Sequence, residues 1–194
     1  MINELSLLNS SRGSFSYSIT TLDYKEGHFH NPQIFRDFGS FNIDKVPEKK
    51  YKICHIQDPT GYVRNFDTIH PAEKENSLLW HNGIIKEYCC EVLREKQQTD
   101  CMWDTQLLLN ELNDFKNLDE IDGSFACFFF DKDIFVFRNL LAPLFFSGSN
   151  FSSMRYDDTF KPLEPEKIFC LTDLTQKEIF NFKTKDNPWW MMDK

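Results

Sequence analysis

The sequence lacks a dense run of lysine and arginine, a long apolar stretch and a signal-like N-terminus. Its 30 acidic residues outnumber 22 basic ones, which gives a net charge of −8, and a chain without a basic cluster is poorly suited to neutralise a phosphate backbone. The richest apolar run, residues 125–130, is too short to cross a bilayer. We therefore expect a cytoplasmic protein that binds neither nucleic acid nor a membrane.

Glycine and proline are also scarce, with seven and eight among 194 residues, whereas phenylalanine occurs 20 times. Burying so much aromatic surface offsets the entropy that a chain loses on ordering, so this composition excludes a disordered chain. A chain of this length favours one core over two. We predict that residues 1–194 form a single domain that ends in an aromatic tail at 186–194.

The cysteines lack the spacing of a metal site, because they include no CxxC pair and no matching pair of histidines. With no secretion signal, reduced thiols are expected rather than disulfides. We expect neither a metal ion nor a cofactor. The six thiols are Cys54, Cys89, Cys90, Cys101, Cys127 and Cys170.

Apolar periodicity predicts strands on both sides of a central helical region. Alternation at 14–22 and the apolar segments at 51–56 and 77–81 indicate strands, the last of which ends at Asn82-Gly83. Residues 85–97 and 105–115 carry their apolar side chains on one face, as amphipathic helices do. Further strands are predicted in the last third of the chain, at 123–130, 134–137, 144–146, 151–153 and 167–171.

The remaining segments carry weaker patterns. Residues 2–9 have helical spacing, and residues 23–50 are polar and mixed, which we interpret as a long connection with a short helix near 34–38. Helices placed between groups of antiparallel strands favour an α+β layered architecture over a doubly wound parallel sheet.

A series of short motifs follows one order along the chain. In that order they resemble the class II (N-terminal-nucleophile) glutamine amidotransferase domains of asparagine synthetase and glucosamine-phosphate synthase. The resemblance implies a four-layer α/β/β/α sandwich of the Ntn-hydrolase type. The motifs are Arg12-Gly13, Cys54-His55 to Thr60-Gly61, His70-Pro71, His81-Asn82-Gly83, Trp103-Asp104-Thr105, residues 118–130, Arg138-Asn139 with residues 143–146, and residues 151–153.

The resemblance also assigns roles in the hydrolysis of glutamine's side-chain amide. This reaction needs a nucleophile, a base and donors that stabilise a tetrahedral oxyanion. Asn82 and Gly83 would form the oxyanion hole, although an Asn-Gly pair also suits a tight turn. Asp104 would bind the substrate's α-ammonium group, although it also suits a helix N-cap. His81 is expected to lie beside the substrate pocket.

The sequence departs from that family at its catalytic end. The family's nucleophile is an N-terminal cysteine, whereas this chain begins with Met1 and has no cysteine before Cys54, which we interpret as a buried structural thiol. The Arg-Gly turn follows that cysteine by tens of residues in the family. The position of Arg12 therefore implies an N-terminally truncated domain, without the leading strand and much of the first helix.

Two further features concern what the chain binds. The family's arginine for the substrate α-carboxylate corresponds to Gln57, and a neutral amide cannot supply a bidentate charged contact. Arg64, seven residues later, is the candidate replacement. In the tail, Trp189 and Trp190 either dock on their own domain or present anchors to a partner protein.

Three functional hypotheses follow from these patterns. The first is a catalytically inactive amidotransferase-like protein that binds a protein partner, or glutamine or a related amino acid, and acts as a scaffold. The second is a genuine glutaminase subunit whose cysteine segment lies upstream of this sequence and which supplies ammonia to a synthetase partner. The third is an unrelated α+β interaction module.

Overall fold

The computed structural model describes residues 15–58, 65–171 and 175–187. The predicted helix at 2–9, the Arg12-Gly13 turn, Arg64, Trp189 and Trp190 lie outside these ranges. In chain order the described elements are β1 (Ser16–Lys25), β2 (His28–Phe38), β3 (Tyr51–Gln57), β4 (Ala72–Lys74), β5 (Ser77–Ile85), α1 (Glu87–Gln97), α2 (Asp104–Glu111), β6 (Gly123–Asp131), β7 (Asp133–Arg138), β8 (Phe145–Ser147), β9 (Asn150–Ser152), β10 (Lys161–Pro162), β11 (Lys167–Cys170) and β12 (Lys177–Asn181).

The strands form three antiparallel sheets. The largest has the order β12-β11-β7-β6-β5-β4, the second has the order β2-β1-β3, and a small one has the order β10-β8-β9. With two α-helices between the strand groups, the described residues have an α+β fold, as the sequence predicted. Neither described helix is long and apolar enough to span a membrane.

Two apolar clusters lie between the helices and sheets of the fold. Leu79, Phe125 and Phe137 belong to the cluster that the helices cover, with Leu107 and Leu108 of α2 among its members. The second cluster lies between the two larger sheets, where Trp80 of β5 packs in the same cluster as Leu22 of β1. Consecutive side chains of β5 thus enter opposite cores, as the pleat of a strand requires. The described residues form three layers, α/β/β, and the four-layer sandwich stays a prediction.

The connection and short helix predicted within 23–50 are wrong, because this stretch contains strand β2. β1 turns into β2 through Glu26 and Gly27, whose φ values of 54° and 87° suit a two-residue hairpin turn. β2 pairs with β1 from Phe38 back to His28. It is an outer strand of its sheet and buries only Phe29 fully, so it carries no apolar alternation that sequence reasoning could detect.

Candidate functional site

A cavity of about 1040 Å³ lies between β3 and the second half of β5. The start of α2 and the β8–β9 turn complete its wall. Its lining contains four of the residues that the resemblance had singled out, which are His81, Asn82, Gly83 and Asp104. The fold therefore brings together residues that lie up to 23 positions apart in sequence, and we name this space the inter-sheet cavity.

Strand β5 does not end at Asn82-Gly83, so the predicted strand end and the tight-turn alternative are both wrong. The strand continues to Ile85, and Gly83 pairs with Phe125 of β6. Gly83 has φ +149°, and a Cβ atom there would lie 1.9 Å from the carbonyl oxygen of Ser124. The glycine is needed for the close approach of two strands.

The backbone N–H of Gly83 points away from β6. Phe125, opposite Gly83, uses both of its own backbone groups with Asn139: its N–H donates to Oδ1 at 3.2 Å, and its carbonyl accepts the Asn139 N–H at 3.0 Å. In an antiparallel pair of strands, two opposite residues either bond to each other or both direct their backbone groups away from each other. Because Phe125 bonds to Asn139, Gly83 and Phe125 are a pair of the second kind. β4 pairs only with Ser77–Leu79 of β5, so Gly83 faces the inter-sheet cavity. The oxyanion role of Asn82 and Gly83 stays a prediction that this geometry permits.

Asp104 fixes the end of β5 to the start of α2. Its Oδ2 accepts the N–H of Ile85 at 3.2 Å, and its Oδ1 accepts the N–H of Thr105 at 2.7 Å. Trp103 occupies the cap position, so Asp104 is the first helical residue and not the N-cap. Both carboxylate oxygens already have a backbone donor, although the side chain remains 27% exposed in the cavity.

Two histidines contact the hydroxyl of Thr105, and a third histidine stacks on one of them. His70 Nε2 lies 3.1 Å and His81 Nδ1 lies 3.3 Å from Thr105 Oγ1. The rings of His55 and His70 stack with their centroids 3.9 Å apart, and His55 Nε2 donates to the carbonyl of His81 at 3.1 Å. The imidazoles thus fasten β3, β5 and α2 to one another, and His81 lies beside the cavity as predicted.

The side-chain amide of Gln57 forms hydrogen bonds with other residues of the protein. Its Nε2 donates to the Thr68 carbonyl at 3.1 Å, and its Oε1 accepts a hydrogen bond from the N–H at His70 Nδ1 at 3.0 Å. His70 Nε2 must then accept from Thr105, since a neutral imidazole has one donor and one acceptor. Burial lowers the pKa of His70 well below 6.5, and the nearby His55 lowers it further. His70 is therefore neutral near pH 7.

No arginine lines the described part of the cavity, although Lys50, Lys52 and Lys86 do. Gln57 uses its carbonyl oxygen and one amide hydrogen within the protein, and the hydrogen that remains is a single neutral donor for a carboxylate. Arg64, the candidate replacement, lies outside the described residues. No group of three or more His, Cys, Asp or Glu side chains in residues 15–58, 65–171 and 175–187 could hold a metal ion.

Two thiols line the cavity, and neither is activated. Burial raises the pKa of Cys54 to about 12, against a small opposing effect of Lys52. Burial and the nearby carboxylates of Asp104 and Glu87 raise the pKa of Cys90 to about 12 as well. His55 follows Cys54 in sequence, but neighbouring residues of a strand point to opposite faces. Cys54 is half-buried rather than buried as expected, and its raised pKa agrees with its interpretation as a structural thiol.

Sequence reasoning missed a buried ion pair beside the cavity. Lys86 Nζ lies 2.8 Å from Asp122 Oδ1, and both side chains are almost fully buried. Asp122 also accepts from Tyr88 and from the N–H of Asn187, and Lys86 contacts Asp186 at 3.3 Å. This network holds the chain against α1 up to residue 187, where the predicted aromatic tail leaves the described residues. No local motif marks a lysine and an aspartate so far apart in sequence as partners.

Comparisons with known proteins bear on the fold. No protein-family model and no curated protein sequence matches the chain. Among solved structures, it is similar to glutamine phosphoribosylpyrophosphate amidotransferase from B. subtilis, complexed with ADP and GMP, with a TM-score of 0.67 and 19% identity over 92% of this chain. This chain spans 46% of that protein, about half its length.

A second similar structure is a glutamine aminotransferase class-II domain protein from Silicibacter pomeroyi. Its TM-score is 0.53 at 10% identity, with 86% of this chain and 91% of that chain covered. At such identities the likeness concerns the fold alone. It agrees with the order of motifs and with the placement of His81, Asn82, Gly83 and Asp104 around one cavity. The chain has a class II glutamine amidotransferase-like fold.

Proposed function

We propose that this chain is a catalytically inactive amidotransferase-like domain that binds a ligand in the inter-sheet cavity. The observation that carries the proposal is the state of the two cavity thiols. A thiolate is the nucleophilic form of cysteine, and burial raises the pKa of Cys54 and of Cys90 to about 12. At neutral pH these side chains are thiols almost entirely.

The position of the family's carboxylate-binding arginine supplies no charge. Gln57 bonds to Thr68 and His70 and keeps one amide hydrogen, and Asp104 accepts from two backbone N–H groups. A zwitterionic amino acid would find no guanidinium among the described residues of the cavity. This supports a binding or scaffold role over the recognition of free glutamine as a substrate.

An active glutaminase subunit is the second candidate, and one observation favours it. Gly83 has a backbone conformation that residues with side chains rarely adopt, and its N–H points away from β6, as an oxyanion donor would have to. In that case the nucleophile would come from outside the described residues, and ammonia would pass to a synthetase partner.

Thiol reactivity tests the proposal. We expect iodoacetamide to alkylate Cys54 and Cys90 in the folded chain at pH 7.5 on the order of a hundredfold or more slowly than in urea, because the thiolate fraction falls with the raised pKa. Site-resolved peptide mass spectrometry measures both rates in one sample, with Cys101, which is half-buried like Cys54 but does not line the cavity, as an internal comparison. A cavity cysteine that reacts faster in the folded chain than in urea would contradict an inactive site.

A further inference from the structure

Residues 182–187, the last described part of the chain, are bonded to the rest of the fold at both ends, and we name them the terminal strap. Phe182 is buried in the core that the helices cover. Lys185 pairs with Asp122 in a parallel β-bridge, and the N–H of Asn187 donates to Oδ2 of the same aspartate at 3.3 Å. These contacts fix the path of the chain as far as Asn187.

The terminal strap leads towards the inter-sheet cavity. Because its bridge to Asp122 is parallel, the strap runs in the same direction as residues 122–124, and Ser124 lines the cavity. At the end of the strap, the carbonyl oxygen of Asn187 accepts from Nζ of Lys86, which is also a cavity-lining residue. The chain therefore leaves the described residues beside a wall of the cavity.

Two large apolar residues are exposed at the rim of the cavity, close to the end of the terminal strap. Ile84 and Met102 both line the cavity and are 43% and 58% exposed, and we name them the rim pair. The hydrogen bond from the N–H of Ile85 to Asp104 holds their two segments together. Ile84 also lies two positions before Lys86, which binds the strap. Covering the exposed apolar surface of this pair would be favourable.

The sequence that follows the strap is suited to cover such a rim. Residues 188–192 are Pro-Trp-Trp-Met-Met, and residues 188–190 span up to about 11 Å when fully extended. Tryptophan buries a large apolar area, and methionine adapts to irregular apolar surfaces. We propose that Trp189 and Trp190 dock on the rim pair of their own chain and close the mouth of the inter-sheet cavity.

The short connection favours docking within one chain over docking on a second copy. Only one residue separates Asn187, which the strap anchors, from Trp189. A short tether gives an effective concentration on the order of millimolar, which a second copy in dilute solution does not reach. The docking itself is independent of the proposed function. Its consequence rests on the binding role argued above, because a ligand that enters the cavity would have to displace the tail.

The test uses the full chain with ¹³C-labelled methionine methyl groups. We expect nuclear Overhauser effects between the Met102 methyl and an indole of Trp189 or Trp190, and an upfield ring-current shift of that methyl. Both should disappear in the double variant Trp189→Ser/Trp190→Ser, and Met102→Leu identifies the methyl signal. In the double variant the amide hydrogen of Gly83, which faces the cavity, should exchange about tenfold faster, because the mouth is open.

Ile179→Ser is the matched control for Ile84→Ser. Both isoleucines are 43% exposed, but of the two only Ile84 lines the cavity. Ile84→Ser should weaken the Overhauser effects at Met102, and Ile179→Ser should leave them unchanged.

Four results would overturn the proposal. They are the absence of any Overhauser effect between Met102 and the tail indoles, an equal loss in Ile84→Ser and Ile179→Ser, unchanged exchange of the Gly83 amide in the double variant, and effects that pass between labelled and unlabelled chains in a mixture. The last result would identify a second copy as the source of the tail. These readouts involve neither thiol reactivity nor glutamine, so failure here is distinguishable from failure of the inactive-site proposal.

Discussion

Replacing Gly83 with alanine is expected to lower the free energy of unfolding by at least about 3 kcal/mol, the range in which special backbone positions and steric overlap combine. The added Cβ would lie 1.9 Å from the Ser124 carbonyl oxygen and 2.9 Å from Nε2 of His81. The first contact is with backbone, so β5 and β6 would have to separate. Urea denaturation, monitored by circular dichroism, measures this decrease in the free energy of unfolding.

Gly148→Ala is the matched control for this substitution. Gly148 also has a positive φ, of 58°, but nothing lies within 4 Å of the methyl group that alanine would add, so only the conformational preference changes, at a cost of about 1 kcal/mol. If both variants lose the same amount of unfolding free energy, the contact with the Ser124 carbonyl is not the reason that position 83 requires glycine. The comparison separates steric overlap from backbone preference.

Replacing Lys86 with methionine is expected to cost about 3–5 kcal/mol, because it leaves the buried carboxylate of Asp122 without its cation. The Lys86 and Asp122 side chains are 1% and 0% exposed. Burial alone would raise the pKa of Asp122, but hydrogen bonds from Lys86 and Tyr88 outweigh it and lower that pKa. The native pair therefore stabilises the fold above the ordinary pKa of an aspartate, and this stability is lost as the pH falls through the lowered value.

The pH dependence gives this prediction its control. Lys86→Met removes the strongest influence that lowers the pKa of Asp122 and leaves the weaker hydrogen bonds from Tyr88 and Asn187 to oppose burial, so the pKa of Asp122 should rise and the carboxyl should take up a proton more easily. The gap in unfolding free energy between wild type and variant should narrow as the pH falls from 7 towards 4. Arg155→Met, which removes an exposed pair with Asp158, should cost less than about 1 kcal/mol. A gap that widens in acid would contradict the buried-pair account.

Much of the fold was predictable where apolar residues recur at a regular period, even in β1, which buries both of its faces from Ser16 to Leu22. The alternation in β1, the apolar hairpin of β6 and β7, and the amphipathic pattern of α1 all appear in the structure at nearly the predicted positions. β2 was missed because it is an exposed outer strand. Asn82-Gly83 was misread as a strand end because an Asn-Gly pair is typical of a turn and a glycine is also typical of two strands that approach closely. The two cases differ only in the presence of β6 opposite Gly83, which the sequence alone does not show.

The candidate site was predictable in part, because His81, Asn82, Gly83 and Asp104 stand in short motifs and share one cavity. Other parts depend on tertiary contacts. The indole N–H of Trp80, which lacks a hydrogen-bond partner among the described residues, is buried only when both sheets are in place. Thr105 belonged to a motif, but its contacts with two histidines come from β5 and from the loop before β4.

The most direct test of an inactive site is ammonia release from glutamine by the full chain, measured with a coupled assay beside an enzyme-free blank and the Asn82→Ala variant. The account predicts the same rate in all three, since no described thiol in the cavity is activated and Gln57 offers the substrate carboxylate no charge and at most one donor. Release above the blank by wild type that disappears in Asn82→Ala would contradict it and establish glutaminase activity at this cavity.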